Sequence, residues 1–163
     1  ICGGLIVYPD YIDWARANYC PRELAVELTR YRLEDGDIVV ALDRPWITDG
    51  FKLAMIRKSD PESLLIQRTA RIRVKGINQH FLYFIFKHKI FELHCKPTQT
   101  TVPHISPKEI QNFKIPIPPK NLQTQFALIV EKTEALKSQY QESLKELENL
   151  YGSLSQRAFR GEI

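Results

Sequence analysis

Asp10, Glu23 and Glu27 are the carboxylates that come nearest to a metal-dependent nuclease set, in which paired acids hold a divalent cation beside a phosphate. Such a set also needs a lysine beside its glutamate, and the stretch ELAVELTR that contains both glutamates has none. The three acids therefore read as surface charges. His80, His88, His94 and His104 share no helical face with acidic ligands, so no metal site is expected. Cys95 lies between His94 and Lys96, a setting that lowers a thiol pKa, but a lone cysteine is also simply a small buried residue. GxSxG, the Walker GxxxxGK[ST] loop, GxGxxG and HExxH are absent. No catalytic residue, metal or cofactor is expected, which points away from a stand-alone nuclease or methyltransferase.

Charge separates the chain into thirds. Residues 1–62 hold 8 Lys and Arg against 11 Asp and Glu, residues 63–120 hold 10 against 2, and residues 121–163 hold 5 against 6. Basic residues so concentrated are the footprint of a polyanion-binding surface, because they release the counterions condensed on phosphates. The alternative is a solvated strand face, since Arg68, Arg71, Arg73 and Lys75 partly alternate with Ile66, Ile72 and Val74.

The elements that must position these residues form one globular body and an appendage. With 163 residues, 44% of them hydrophobic, the chain has room for no second full domain. Its longest apolar run, FLYFIF at Phe81–Phe86, is far below a membrane span, and no signal peptide is seen. Cys2, Cys20 and Cys95 are odd in number and widely spaced, which suits a reducing cytoplasm. The chain starts at Ile1, without an initiator methionine, in ICGGLIVY; this reads as a strand already under way, with the first residues of the natural polypeptide missing.

The body is expected to be α+β with strands dominant. Glu34–Asp37 turn into IVVAL (Ile38–Leu42), and Leu53–Arg57 and Leu65–Val74 are further strands. DRPWITDG, Asp43–Gly50, reads as a loop. Asn78 precedes an apolar pattern through Phe81, Leu82, Phe84, Ile85, Ile90 and Phe91 that predicts a short buried helix. Ser106, Pro107 and Glu109 are the N-cap, first position and capping-box partner of another brief helix.

The appendage is a proline-rich hinge at residues 115–121, IPIPPKN, followed by a long amphipathic helix over residues 122–163 with Asn121 as N-cap. In heptads the a positions are Phe126, Thr133, Tyr140, Leu147 and Leu154, and the d positions are Ile129, Leu136, Ser143, Leu150 and Arg157. Leu144, Tyr151 and Ala158 widen the stripe. A rod of roughly 57 Å, at about 1.5 Å per residue, projects beyond so small a body and needs a partner helix. Pro116, Pro118 and Pro119 make the hinge a stiff connector, or simply a stop before the helix.

IPIPP before a glutamine-containing helix start, with QRAFRGEI at the helix end, resembles the DNA-specificity subunits of type I restriction-modification systems. GDIVVALDRP resembles the GDI-type strand and loop of that family, and TTVPHISPKEIQNFKIPIPP resembles the segment that joins its target recognition domain to the long helix. Thr124 stands where an acidic residue is usual before Gln125, and one recognition domain is present where a complete subunit has two. The resemblance implies a non-catalytic chain with residues 1–114 as a DNA-binding target recognition domain and a helix that pairs as an antiparallel coiled coil. Its implied partners are double-stranded DNA, methyltransferase subunits, a restriction subunit and a second copy of the chain.

Within that resemblance, base edges call for forked side chains, with Lys and Thr on phosphates. The expected DNA contacts are Arg44 and Lys52, and in the loop before SPKEI, Lys96, Thr98, Gln99, Thr100, Thr101 and His104. Thr101 and His104 have holding the domain against the hinge as a second reading, and Trp46 has stacking on a base or packing as an aromatic. The expected dimerisation residues are Phe126, Ile129, Leu136, Tyr140, Leu147, Leu150 and Leu154; Leu144, Tyr151 and Ala158 are expected to meet the methyltransferase. The chain is either a natural half-subunit or the C-terminal half of a full one. The competing class is a coiled-coil adaptor with no DNA role.

Overall fold

The computed structural model describes residues 1–95 and 103–162. The chain divides into two units at the Pro119–Lys120 junction. In the first, the order is β1 (Val7–Tyr8), β2 (Tyr11–Ile12), α1 (Arg22–Glu27), β3 (Ile38–Ala41), β4 (Trp46–Ile47), β5 (Gly50–Phe51), β6 (Leu53–Met55), β7 (Thr69–Ile72), α2 (Gln79–Lys87), α3 (Lys89–Cys95) and α4 (Pro107–Asn112). The second unit is α5 (Lys120–Phe159). The fold is mixed α+β with a long C-terminal helix, as expected.

β3 is the centre of the body. Its four β-branched and small residues are all buried, and it pairs antiparallel with β6 on one side and β7 on the other. Because side chains alternate along a strand, Ile38 and Val40 enter one core while Val39 and Ala41 enter another. The first core is closed by Leu82, Tyr83 and Phe86 of α2 and by Phe91 and Cys95 of α3; the second is closed by Cys2, Val7, Leu33 and Ile56.

Several elements differ from expectation. The helical pattern after Asn78 splits at His88, whose extended backbone ends α2; the break lets Phe86 and Phe91 meet edge-on at 4.8 Å in one core. The expected 65–74 strand is confined to Thr69–Ile72, because a turn at Gln67 and Arg68 precedes it. ICGGLIVY contributes only a parallel bridge from Cys2 to Leu65 and the two residues of β1. DRPWITDG is a hairpin, β4–β5, in which Trp46 stacks on Phe51 at 5.0 Å; its ring is a packed aromatic. The Ser106 capping box forms as expected, with Glu109 N–H donating to Ser106 Oγ and Ser106 N–H donating to the Glu109 carboxylate.

α5 taken by itself is 40 residues long, about 60 Å at 1.5 Å per residue. It starts at Lys120, directly after the two prolines whose fixed φ pre-sets the first turn, so Asn121 lies inside that turn instead of capping it. Thr133, which interrupts the apolar seam, donates its hydroxyl to the Ile129 carbonyl at 2.8 Å, so the polar atom is satisfied within the helix. The terminal RAFRGE folds into a helix stop: Glu162 N–H donates to the Arg157 carbonyl, Gly161 N–H donates to that of Ala158, and Gly161 takes φ +70°. Among the described residues no helix is long and apolar enough to cross a membrane.

Candidate nucleic-acid interface

The site begins where β3 ends. Leu42 N–H donates to the Arg68 carbonyl at 2.9 Å, and Ile105 N–H donates to the Leu42 carbonyl at 2.9 Å. Arg44 N–H donates to the Pro103 carbonyl at 2.8 Å, and Asp43 faces His104 across an antiparallel bridge. Residues 42–44 are thus held between the Gln67–Arg68 turn and the segment that resumes at Pro103. This brings Arg44 and His104, far apart in sequence, onto one edge, where both are exposed.

Arg68 joins them from the turn. Its guanidinium donates one N–H to Asp43 at 2.8 Å while 71% of its side chain stays in solvent. Arg44 and Arg68 both have left-handed backbones, φ +44° and +65°, a conformation that costs a residue with a Cβ roughly 1 kcal/mol or more. Two strained arginines on either side of one aspartate are a local cost that the surrounding hydrogen bonds maintain. The sequence reads Arg68 as part of a strand face, because the Gln67–Arg68 turn carries none of the Gly, Pro, Asn or Asp residues that announce one.

Lys52 takes a different place. It is 8% exposed, its ammonium donates to the Gly4 carbonyl, and burial lowers its pKa, with the Asp43 charge opposing and the Arg44 charge adding to that shift. A side chain so committed inside the body is a poor ligand for a phosphate. Lys96, Thr98, Gln99, Thr100 and Thr101 lie outside the described residues.

The basic middle third is less open than its charge count implies. Arg73 is spent on Asp37 and Glu34, Lys87 on Asp10, and Arg71 on the Arg32 carbonyl. The acids of the first third therefore neutralise much of it. The Asp37 hydrogen bonds raise the Arg73 pKa above its usual range; burial opposes them, and the Asp37 and Glu34 charges add to the rise. Asp37 itself is fully buried and also accepts from Glu34 N–H, which makes the aspartate of the GDI turn a structural group.

The remaining candidates resolve simply. Asp10 pairs with Lys87 and Tyr83 and is not joined to Glu23 or Glu27, which lie on α1. Among the described residues no group of His, Cys, Asp and Glu could hold a metal ion. Cys95 is buried, and burial, aided by Glu109, pushes its thiol up to about 12; the small-buried-residue reading holds and the low-pKa reading does not. On α5, Ile129, Leu136, Tyr140, Leu147, Leu150 and Leu154 are exposed, as are Leu144, Tyr151 and Ala158, whereas Phe126 is half-buried.

The sequence of this β-centred body and the helix that follows it is similar to known proteins. Residues 10–149 fit the type I restriction modification DNA specificity domain, and the chain belongs to that family. Among its relatives, the type I restriction enzyme EcoAI specificity subunit of Escherichia coli is 32% identical over 114 residues, covering 68% of this chain and 19% of that subunit. The type I restriction enzyme MjaVIII specificity subunit of Methanocaldococcus jannaschii is 28% identical over 152 residues, covering 85% of this chain and 35% of that subunit. The chain spans between 19% and 35% of the length of these relatives.

Proposed function

We propose that this chain is a DNA-recognition unit that reads one half-site of a bipartite target and holds it for the methyltransferase and restriction subunits of a type I enzyme. It performs no chemistry of its own. The observation that carries the reading is the stapling of the Asp43–Arg44 loop to Pro103–Ile105, which gathers Arg44, Arg68 and His104 on one exposed edge. Lys96, Thr98, Gln99, Thr100 and Thr101 are further DNA contacts in our reading, and Lys52 supports the edge from within.

α5 supplies the spacing. Two copies paired antiparallel through Ile129, Leu136, Tyr140, Leu147, Leu150 and Leu154, with Phe126 at the end of the seam, bury side chains that stand exposed in one chain. An isologous pair of this kind reads a palindromic, interrupted target, since the twofold axis of the protein is imposed on the DNA. Leu144, Tyr151 and Ala158 form the flanking surface offered to the methyltransferase. The setting is the reducing cytoplasm, in keeping with three free cysteines.

The test combines assembly with binding. Light scattering at micromolar concentration is expected to give a dimer that L136E with L147E dissociates, and the chain is expected to redirect the target choice of a type I methyltransferase subunit. A monomer that leaves target choice unchanged would falsify the proposal. Glycine at Pro118 and Pro119 is expected to broaden the tolerated half-site spacing. A coiled-coil adaptor is the second reading, favoured by the ion pairs that consume Arg73 and Lys87; it predicts the same dimer with no salt-dependent binding to duplex DNA.

A further inference from the structure

We infer that Arg68, held by Asp43, is the residue that reads a guanine, and that Arg44 serves the phosphate backbone. The inference rests on the reading of the chain as a DNA-recognition unit and assigns the roles within it.

The arginines around β3 differ in how they are held. Arg73 has its guanidinium filled by two carboxylates at the far end of the sheet, and Arg71, half-buried in the middle of β7 opposite Val39, gives one Nη1–H to the Arg32 carbonyl; neither lies on the Asp43–His104 edge. Arg44 makes no side-chain hydrogen bond or ion pair among the described residues, so its long side chain is unconstrained, as suits a phosphate that accepts a donor from many directions. Arg68 is intermediate. One Nη1–H goes to Asp43 Oδ2, which restrains where the guanidinium sits, and most of the side chain remains open to solvent.

Two further arguments favour a base over a phosphate. A phosphate meeting Arg68 also meets the negative charge of Asp43 and is repelled, whereas the O6 and N7 of guanine are neutral acceptors that a forked donor matches. Asp43, one-third exposed, keeps an oxygen for the N4 amino group of cytosine, so that the pair presents both donor and acceptor to a G·C edge.

The experiment is selection by the full chain from a duplex pool with randomised positions, at fixed salt, with sequencing of the bound fraction. R68G relaxes the backbone and removes the fork together with its exposed ion pair to Asp43; it is expected to fold normally and to lose a G·C preference at one position by roughly tenfold or more while other positions persist. R68K keeps the charge and is expected to lose the same preference. D43N is expected to weaken that preference and to raise affinity for non-cognate duplexes. R44A is expected to lower affinity for all duplexes alike and to reduce the salt dependence. An R68G motif identical to that of the wild type overturns the assignment. A wild-type chain that enriches no motif overturns the recognition reading itself.

Discussion

Arg73 and Asp37 meet through two parallel hydrogen bonds, Nε to Oδ1 at 2.5 Å and Nη2 to Oδ2 at 2.6 Å, and the carboxylate they share is 1% exposed. The pair ties the turn before β3 to the chain just beyond β7, so it closes the sheet at one end. Removing the cation leaves a buried charge with one backbone N–H for company. R73M is expected to cost about 3 kcal/mol in urea unfolding, at unchanged binding per folded molecule. A loss below about 1 kcal/mol would mean that water replaces the guanidinium.

Cys2 and Cys95 give the stability an alkaline limb. Burial is the main cause that pushes both thiols up from 9.0 to about 12. Between those values the unfolded chain releases protons that the folded chain keeps, so stability is full below pH 9 and falls as pH rises toward 12. The slope is at most about 1.4 kcal/mol per pH unit for each thiol. Stability of C95A measured across this window is expected to fall less steeply than that of the wild type. In the native protein iodoacetamide is expected to modify Cys20 ahead of the two buried thiols, and equal labelling would contradict the burial.

Ser106 caps α4 close to the candidate surface. Its Oγ accepts from Glu109 N–H at 3.3 Å, and S106A removes that acceptor. The loss is expected to be about 1 kcal/mol, with S106G costing only a few tenths. Thermal unfolding in the order wild type, S106G, S106A checks it; equal midpoints would show the cap to be idle.

Gly152 lies at the outer f position of the α5 heptads, and a Cβ built there meets nothing within 4 Å. G152A is therefore expected to stabilise the helix by roughly 0.5–1 kcal/mol. Dimer dissociation, followed by light scattering on dilution, is expected to stay unchanged. A weakened dimer would relocate the paired face to the glycine side.

Local rules made much of this molecule readable. Ile38–Ala41 announces itself as a strand because its β-branched run follows an Asp-Gly-Asp turn, and Ser106–Glu109 announces a helix because the capping box is written in adjacent residues. The break at His88 was hidden, since the same apolar spacing serves one helix or two and only the shared core decides between them. The burial of Lys52 is hidden for a related reason. A lysine beside a polar loop looks solvent-facing until β6 and Gly4 close around it. Charge counted along a chain ignores ion pairs between distant segments, and Arg68 reads as part of a strand face because a left-handed arginine has no sequence signature.

β3 is flanked by paired strands and covered on both faces. Its amide protons should thus be the last in the body to exchange with deuterated solvent, opening only when the whole sheet opens. The loop bearing Asp43 and Arg44 leaves directly from that strand, so its root is anchored in the most persistent hydrogen bonds of the molecule while its tip faces solvent. Motions that admit a ligand can then remain confined to a few residues, without a cost in global unfolding.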